Sequence, residues 1–250
     1  MMYQRPQLTD AHSRLWQLTR QQLSRVGINS PKTLSQNAEE FSVWLNPELV
    51  LSQTCGMPYR LALHGKVNLV GTPDYGIQGC QAGYYRSPLI VRVDDARTDV
   101  REFQQSVLAF NSPISQSGYT AIYKHAEHHN FWFDNKLHAG QHQASAEAVA
   151  EGKADIASLD AVTWRLIQQY ESFAKKLRVL EWTDPTPGLP LITALQHNPD
   201  NVFNAFSEAL NELHTNDKAL LGIKSLVKIP ASDYLAVANP PLPECVIGSS

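Results

Sequence analysis

The stretch SVLAFNSPISQSGYTAIYKHA, residues 106–126, decides how the rest of the chain is read. Residues 106–110 read as a short strand, and residues 112–117 as a hydroxyl-rich loop ending at Gly118. Tyr119, Ala121, Ile122 and Tyr123 then open a helix. Strand, polar loop, helix is one step of an α/β alternation. It aims the unsatisfied N–H groups of a helix start out of the loop.

Working outward, the alternation continues. Residues 142–151 form an Ala-rich helix stopped by Gly152, residues 154–159 a strand, and Asp160 caps a helix running to about residue 170. A strand at 177–181 leads into the Pro-rich connection WTDPTPGLP, residues 182–190. Upstream, residues 10–26 have the apolar spacing of a helix. Residues 49–53, 67–70 and 89–93 read as strands, with a long Gly/Pro/Tyr-rich connection at 71–88. Beyond residue 190, a strand at 191–193 precedes helices at 201–213 and 217–221. The pattern predicts an α/β fold with mixed, mostly parallel sheets. It divides into one lobe from residues 1–96 plus 188–250 and a second from residues 97–187. A ligand cleft between them would be lined by loops at the carboxyl ends of strands.

Composition narrows the function. With a formal charge of −3 and no basic run interleaved with aromatics, the chain is not built for nucleic acid. No apolar run approaches membrane-spanning length, so no membrane insertion is expected. The first residues, MMYQRPQLTDAHSRLW, have no apolar secretory core, which keeps a cytoplasmic location open. The cysteines, Cys55, Cys80 and Cys245, contain no C-x-x-C pair, which excludes a zinc ribbon or a thioredoxin-type motif. No cofactor is expected.

Ser115, Gln116, Ser117 and Gly118, with Tyr119 following, are the main candidate site. A helix start carries about half a unit of positive charge and spare N–H donors, and short hydroxyls and a glycine suit close approach by an oxyanion. An ordinary Ser N-cap is the alternative. His142 opens a helix and either donates to a ligand or caps; Asp160 either accepts from a ligand or only caps its helix. Tyr3, Gln53, Thr54 and Tyr85 lie at or near strand ends, where ligand contact and packing are equally good readings. His125 and His129 have the i, i+4 spacing of a metal pair, but HAEHH is not H-E-x-x-H and no third ligand is evident. They read as histidines favourable at a helix C-terminus, and no metal is expected.

Taken together and in order, QTCG (53–56), YYRSPLIVR (84–92), NSPISQSGY (111–119), HQASAEAVAEGKADIASLDAVTW (142–164) and WTDPTPGLPLIT (182–193) resemble the phosphate/phosphonate-type substrate-binding proteins of ABC transporters. The resemblance covers about residues 3–193. It implies a two-lobe, type II periplasmic-binding-protein-like fold that closes on its ligand without catalysing a reaction. It also implies a periplasmic location, a monomer, and an ABC permease as partner. A serine-rich loop at a helix start would grip a small phosphate or phosphonate oxyanion. SQSG stands in that place, with Gln116 interrupting the hydroxyls. Gln53, Thr54 and Tyr85 would complete the shell on closure. A cysteine at each of two places in such proteins suggests a Cys55–Cys80 disulfide, leaving Cys245 free. A cytoplasmic biosynthetic enzyme on the same fold, or a ligand-sensing domain, are the other functions the pattern admits.

Overall fold

A computed structural model describes residues 3–35 and 40–241. The described residues divide into two compact units, 3–35, 40–84 and 187–236 in the first, and 85–186 with 237–241 in the second. The first crossing therefore falls at 84/85, not at the expected 96/97. The reason is the strand Pro88–Arg92, which is an interior strand of the second unit's sheet and cannot belong to the first. The described C-terminal residues 237–241 likewise group with the second unit, whereas the sequence reading gave them to the first.

The first unit holds a four-stranded sheet in the order Ser52–Gln53, Leu191–Ala194, Val67–Asp74, Ser225–Val227, antiparallel throughout. Helix Thr9–Arg25 packs on helix Pro199–Glu212, burying Leu15 and Leu23 from one and Val202, Phe206 and Ala209 from the other. Asn198 starts the second of these helices. Its side-chain oxygen accepts the N–H groups of Asp200 (2.8 Å) and Asn201 (3.4 Å), and Pro199 occupies the first turn. Arg14 grips Asp217 through two 2.7 Å bonds, tying helix Thr9–Arg25 to helix Thr215–Leu221. Gly71 has to be a glycine in the central strand: a Cβ there would lie 2.8 Å from the Phe203 ring and 2.9 Å from Leu226.

The second unit is built on a five-stranded sheet in the order Lys136–His138, Leu108–Phe110, Ile156–Ser158, Pro88–Arg92, Leu177–Trp182. The first three run parallel; Pro88–Arg92 is antiparallel to both of its neighbours. Side chains alternate between two apolar layers. Leu89, Val91, Leu108 and Ile156 pack with Ile122 and Phe133, while Ile90, Ala109 and Ala157 pack with Val149, Trp164 and Ile167. Cover on both faces explains why these strands are continuous apolar runs in the sequence.

The α/β class with mixed sheets is as expected. The balance of pairing is not, because antiparallel ladders make up the whole first sheet and two of the four pairings in the second. Alternation of strands and helices along a chain does not reveal a strand that returns from a distant segment, as Leu191–Ala194 does between Ser52–Gln53 and Val67–Asp74. Among the described residues, no helix is long and apolar enough to cross a membrane.

Candidate oxyanion site

The loop after strand Leu108–Phe110 leads into a helix whose first part, Gln116–Thr120, is wound as a π-turn before the α-helix Ala121–Glu127. Thr120 N–H reaches back five residues to the Ser115 carbonyl at 3.0 Å. Wider winding at a helix start enlarges the ring of outward N–H groups, and such turns concentrate at functional sites. Ser115 is the N-cap in extended backbone, and its Oγ accepts the Gly118 N–H at 3.0 Å. One N–H of the turn is therefore already taken, while the Ser115 hydroxyl keeps its own hydrogen to donate.

Ser117 is buried, and two neighbours fix it. Its Oγ lies 3.0 Å from His142 Nε2, and its carbonyl accepts the Ser158 hydroxyl at 2.6 Å. His142 is the first residue of helix His142–Ala150, so two helix starts meet at this hydroxyl–imidazole pair. Burial pushes the His142 pKa down to about 4, against a weaker opposing effect of the Ser158 backbone, so the imidazole is neutral at neutral pH. Its Nδ1 is buried and meets no hydrogen-bond partner among the described residues. A serine and a histidine in contact invite comparison with a nucleophile and its base. Among the described residues, no carboxylate bonds to the imidazole, as the third member of a catalytic triad would.

Gly118 serves a different purpose from the expected one. A Cβ on Gly118 would lie 1.8 Å from Asn111 Oδ1 and 3.0 Å from His142 Cε1. The space over Gly118 seats those two side chains; it is not an open approach for a ligand. Asn111, immediately after the strand, and Ser158, at the end of strand Ile156–Ser158, belong to the site although the sequence did not single them out. Asn111 Oδ1 is buried and, like His142 Nδ1, has no partner among the described residues. The available signal was position, since both residues stand at carboxyl ends of parallel strands.

The other candidates divide. Asp160 is buried and caps helix Ala161–Tyr170, accepting the Thr163 N–H at 2.8 Å, which establishes its capping role. The Tyr119 ring packs against Phe110 (5.2 Å) and edge-on to Trp132 (5.4 Å), a core position, and burial raises its phenol pKa. In the first unit, Gln53 donates to the Leu189 carbonyl at 3.2 Å, and the Thr54 N–H donates to the Pro190 carbonyl at 3.0 Å. Tyr3 meets Tyr75 edge-on at 5.1 Å. Tyr85 is buried in the second unit, so it cannot stand with Gln53 and Thr54 as a residue of the first. Gln116 is buried within the π-turn. A hollow of about 560 Å³ in the first unit, with Trp16, Trp44 and Gln53 in its wall, includes none of the serine loop.

The expected disulfide does not join Cys55 and Cys80. Cys55 is the buried N-cap of the short helix Gly56–Pro58. Cys80 is half-buried in a turn closed by its own N–H to the Ile77 carbonyl at 3.1 Å, so separate local structures fix the two. Cys245 lies outside the described residues.

Comparison with known proteins adds to this geometry. A family model described as the periplasmic substrate-binding protein of phosphonate ABC transporters matches residues 51–234. No curated protein matches the sequence. Among solved structures, PhnD1 from Prochlorococcus marinus in complex with methylphosphonate has a TM-score of 0.70 at 14% identity, covering 90% of each chain. A binding-protein component of the ABC phosphonate transporter of Pseudomonas aeruginosa gives 0.67 at 16%, covering 91% of this chain and 79% of that one. A Xanthomonas citri protein bound to ATP gives 0.68 at 15%, covering 90% of each. At these identities the likeness is one of fold.

Proposed function

Because the chain belongs to the family of periplasmic substrate-binding proteins of phosphonate ABC transporters, we propose that it captures a small tetrahedral oxyanion, a phosphonate ahead of phosphate, at Ser115–Ser117 and passes it to an ABC permease. The observation that carries this reading is the meeting of two helix starts on the Ser117–His142 pair, with Ser115 capping beside it. Helix starts favour anions through unsatisfied N–H groups and the dipole, without a cationic side chain. A neutral His142 and two short hydroxyls add donors that do not require a counter-ion. The family and a similar solved protein are substrate-binding components, which supports capture without a chemical step.

Calorimetric titration of the parent with methylphosphonate, inorganic phosphate and sulfate tests the reading. Ser117→Ala removes one hydrogen bond to a charged group, worth about 1.5–3 kcal/mol, and should weaken binding by roughly tenfold to a hundredfold. Ser117→Asp puts a negative charge beside the anion and should abolish binding while the circular dichroism spectrum is kept. Equal affinity in all three proteins would place the anion elsewhere, and no binding of any of the three anions by the parent would end the oxyanion reading.

A further inference from the structure

The helix that begins at the serine loop ends in a second cluster. One ring nitrogen each from His125 and His129 and a carboxylate oxygen of Glu181 lie within 4.8 Å of one another. The two histidines are neighbours across the last turn, with rings 5.6 Å apart and edge-on. The carboxylate arrives from strand Leu177–Trp182, the edge of the five-stranded sheet, which is why the sequence showed a pair without a third member. We propose that His125, His129 and Glu181 form a binding site for a divalent transition metal of the zinc class.

The donor set fits that class. Two imidazoles and one carboxylate suit zinc, cobalt or nickel and leave a further position for water, whereas calcium and magnesium need a shell of oxygens. The carboxylate is already oriented. Glu181 Oε1 accepts the Val100 N–H at 2.8 Å, and Oε2 faces His125 Nε2 at 2.7 Å, so the metal would replace the proton shared in that second contact. Tetrahedral coordination at about 2.1 Å sets donor atoms about 3.4 Å apart. The closure required falls to His129, which is exposed and free to rotate its ring inward, while His125 and Glu181 are partly buried. The surrounding charge is compatible. The Arg101 guanidinium, which acts on Glu181, is paired with Asp99, whose carboxylate also interacts with His129. His128, on the same turn, faces Asp184 at 4.0 Å and does not join the trio. A bound ion would pin the end of the serine-loop helix to the sheet.

The test reads the metal directly and is independent of oxyanion binding. Chelator-treated protein is titrated with zinc by calorimetry and with cobalt by visible absorption, alongside His129→Ala and Glu181→Gln. The parent should bind one equivalent, with tetrahedral cobalt bands and a metal-dependent rise in melting temperature. Each variant should lose at least about tenfold in affinity, together with that rise. His129→Ala removes an exposed ring and leaves the core intact, so it remains informative if Glu181→Gln disturbs the fold through Val100. Zinc binding as tight in His129→Ala as in the parent, or no zinc binding by the parent at micromolar concentrations, would overturn the proposal.

Discussion

Replacing Gly118 by alanine probes the site's packing directly. The added Cβ would stand 1.8 Å from Asn111 Oδ1 and 2.9 Å from its Cγ, far inside contact distance. The helical backbone accepts alanine, which by itself favours the helix by about 0.5–1 kcal/mol over glycine. Overpacking of a filled site costs about 1–3 kcal/mol. The net expectation is a loss of roughly 0.5–2 kcal/mol. The clash has one main author, so Asn111→Ala should relieve it. In a double-mutant cycle the Asn111→Ala/Gly118→Ala protein should recover at least about 1 kcal/mol relative to the sum of the single changes. Urea unfolding followed by tryptophan fluorescence measures all four proteins. A Gly118→Ala protein as stable as the parent, with no coupling in the cycle, would show that the Asn111 amide is not lodged over Gly118.

Other expectations follow from the same structure. Burial holds His142 near 4 while the unfolded chain titrates near 6.5, so only the unfolded state takes up that proton between those values; stability should fall as pH drops from 6.5 to about 4, and His142→Gln should flatten this slope in pH-dependent melts. The Asp95 carboxyl is held down at about 2, first by its hydrogen bonds to Arg97, so its contribution is complete above an unfolded value near 3.8 and lost as pH falls through about 2; the gap between the parent and Asp95→Asn should close over that interval. Thiol titration of unreduced protein in denaturant should find all three cysteines reactive, while a single reactive thiol would reinstate the Cys55–Cys80 bridge.

What the sequence revealed and what it concealed follow from how far each feature reaches along the chain. Helix 142–150, the Asp160 cap and the strand at residues 156–158 depend on neighbours within a few positions, so apolar spacing and a capping residue suffice to locate them. Strand Pro88–Arg92 has the same local signature, yet which unit owns it is decided by partners near residues 157 and 179. Lys136–His138 and Ser225–Val227 are short strands with polar or charged members, and they gain strand geometry only from the ladders beside them. At the site, Ser115, Ser117 and Gly118 stood out because they share one turn. Asn111 and Ser158 escaped notice because strand ends bring them to it, and Glu181 because the edge strand carries it to the two histidines. The packing of the Tyr119 ring on Phe110 was not legible, because a tyrosine beside a binding loop has the same letters whichever way its ring faces.

The discontinuity of the first unit has a bearing on the order in which the protein forms. Its sheet places Leu191–Ala194 between Ser52–Gln53 and Val67–Asp74, so two of its four strands must wait for a third made more than a hundred residues later. The second unit draws its whole sheet from one uninterrupted stretch, residues 88–182. During synthesis it can close while residues 1–84 still expose unpaired strand edges. A released fragment ending soon after residue 186 should therefore contain a protease-resistant second unit attached to a digestible N-terminal segment.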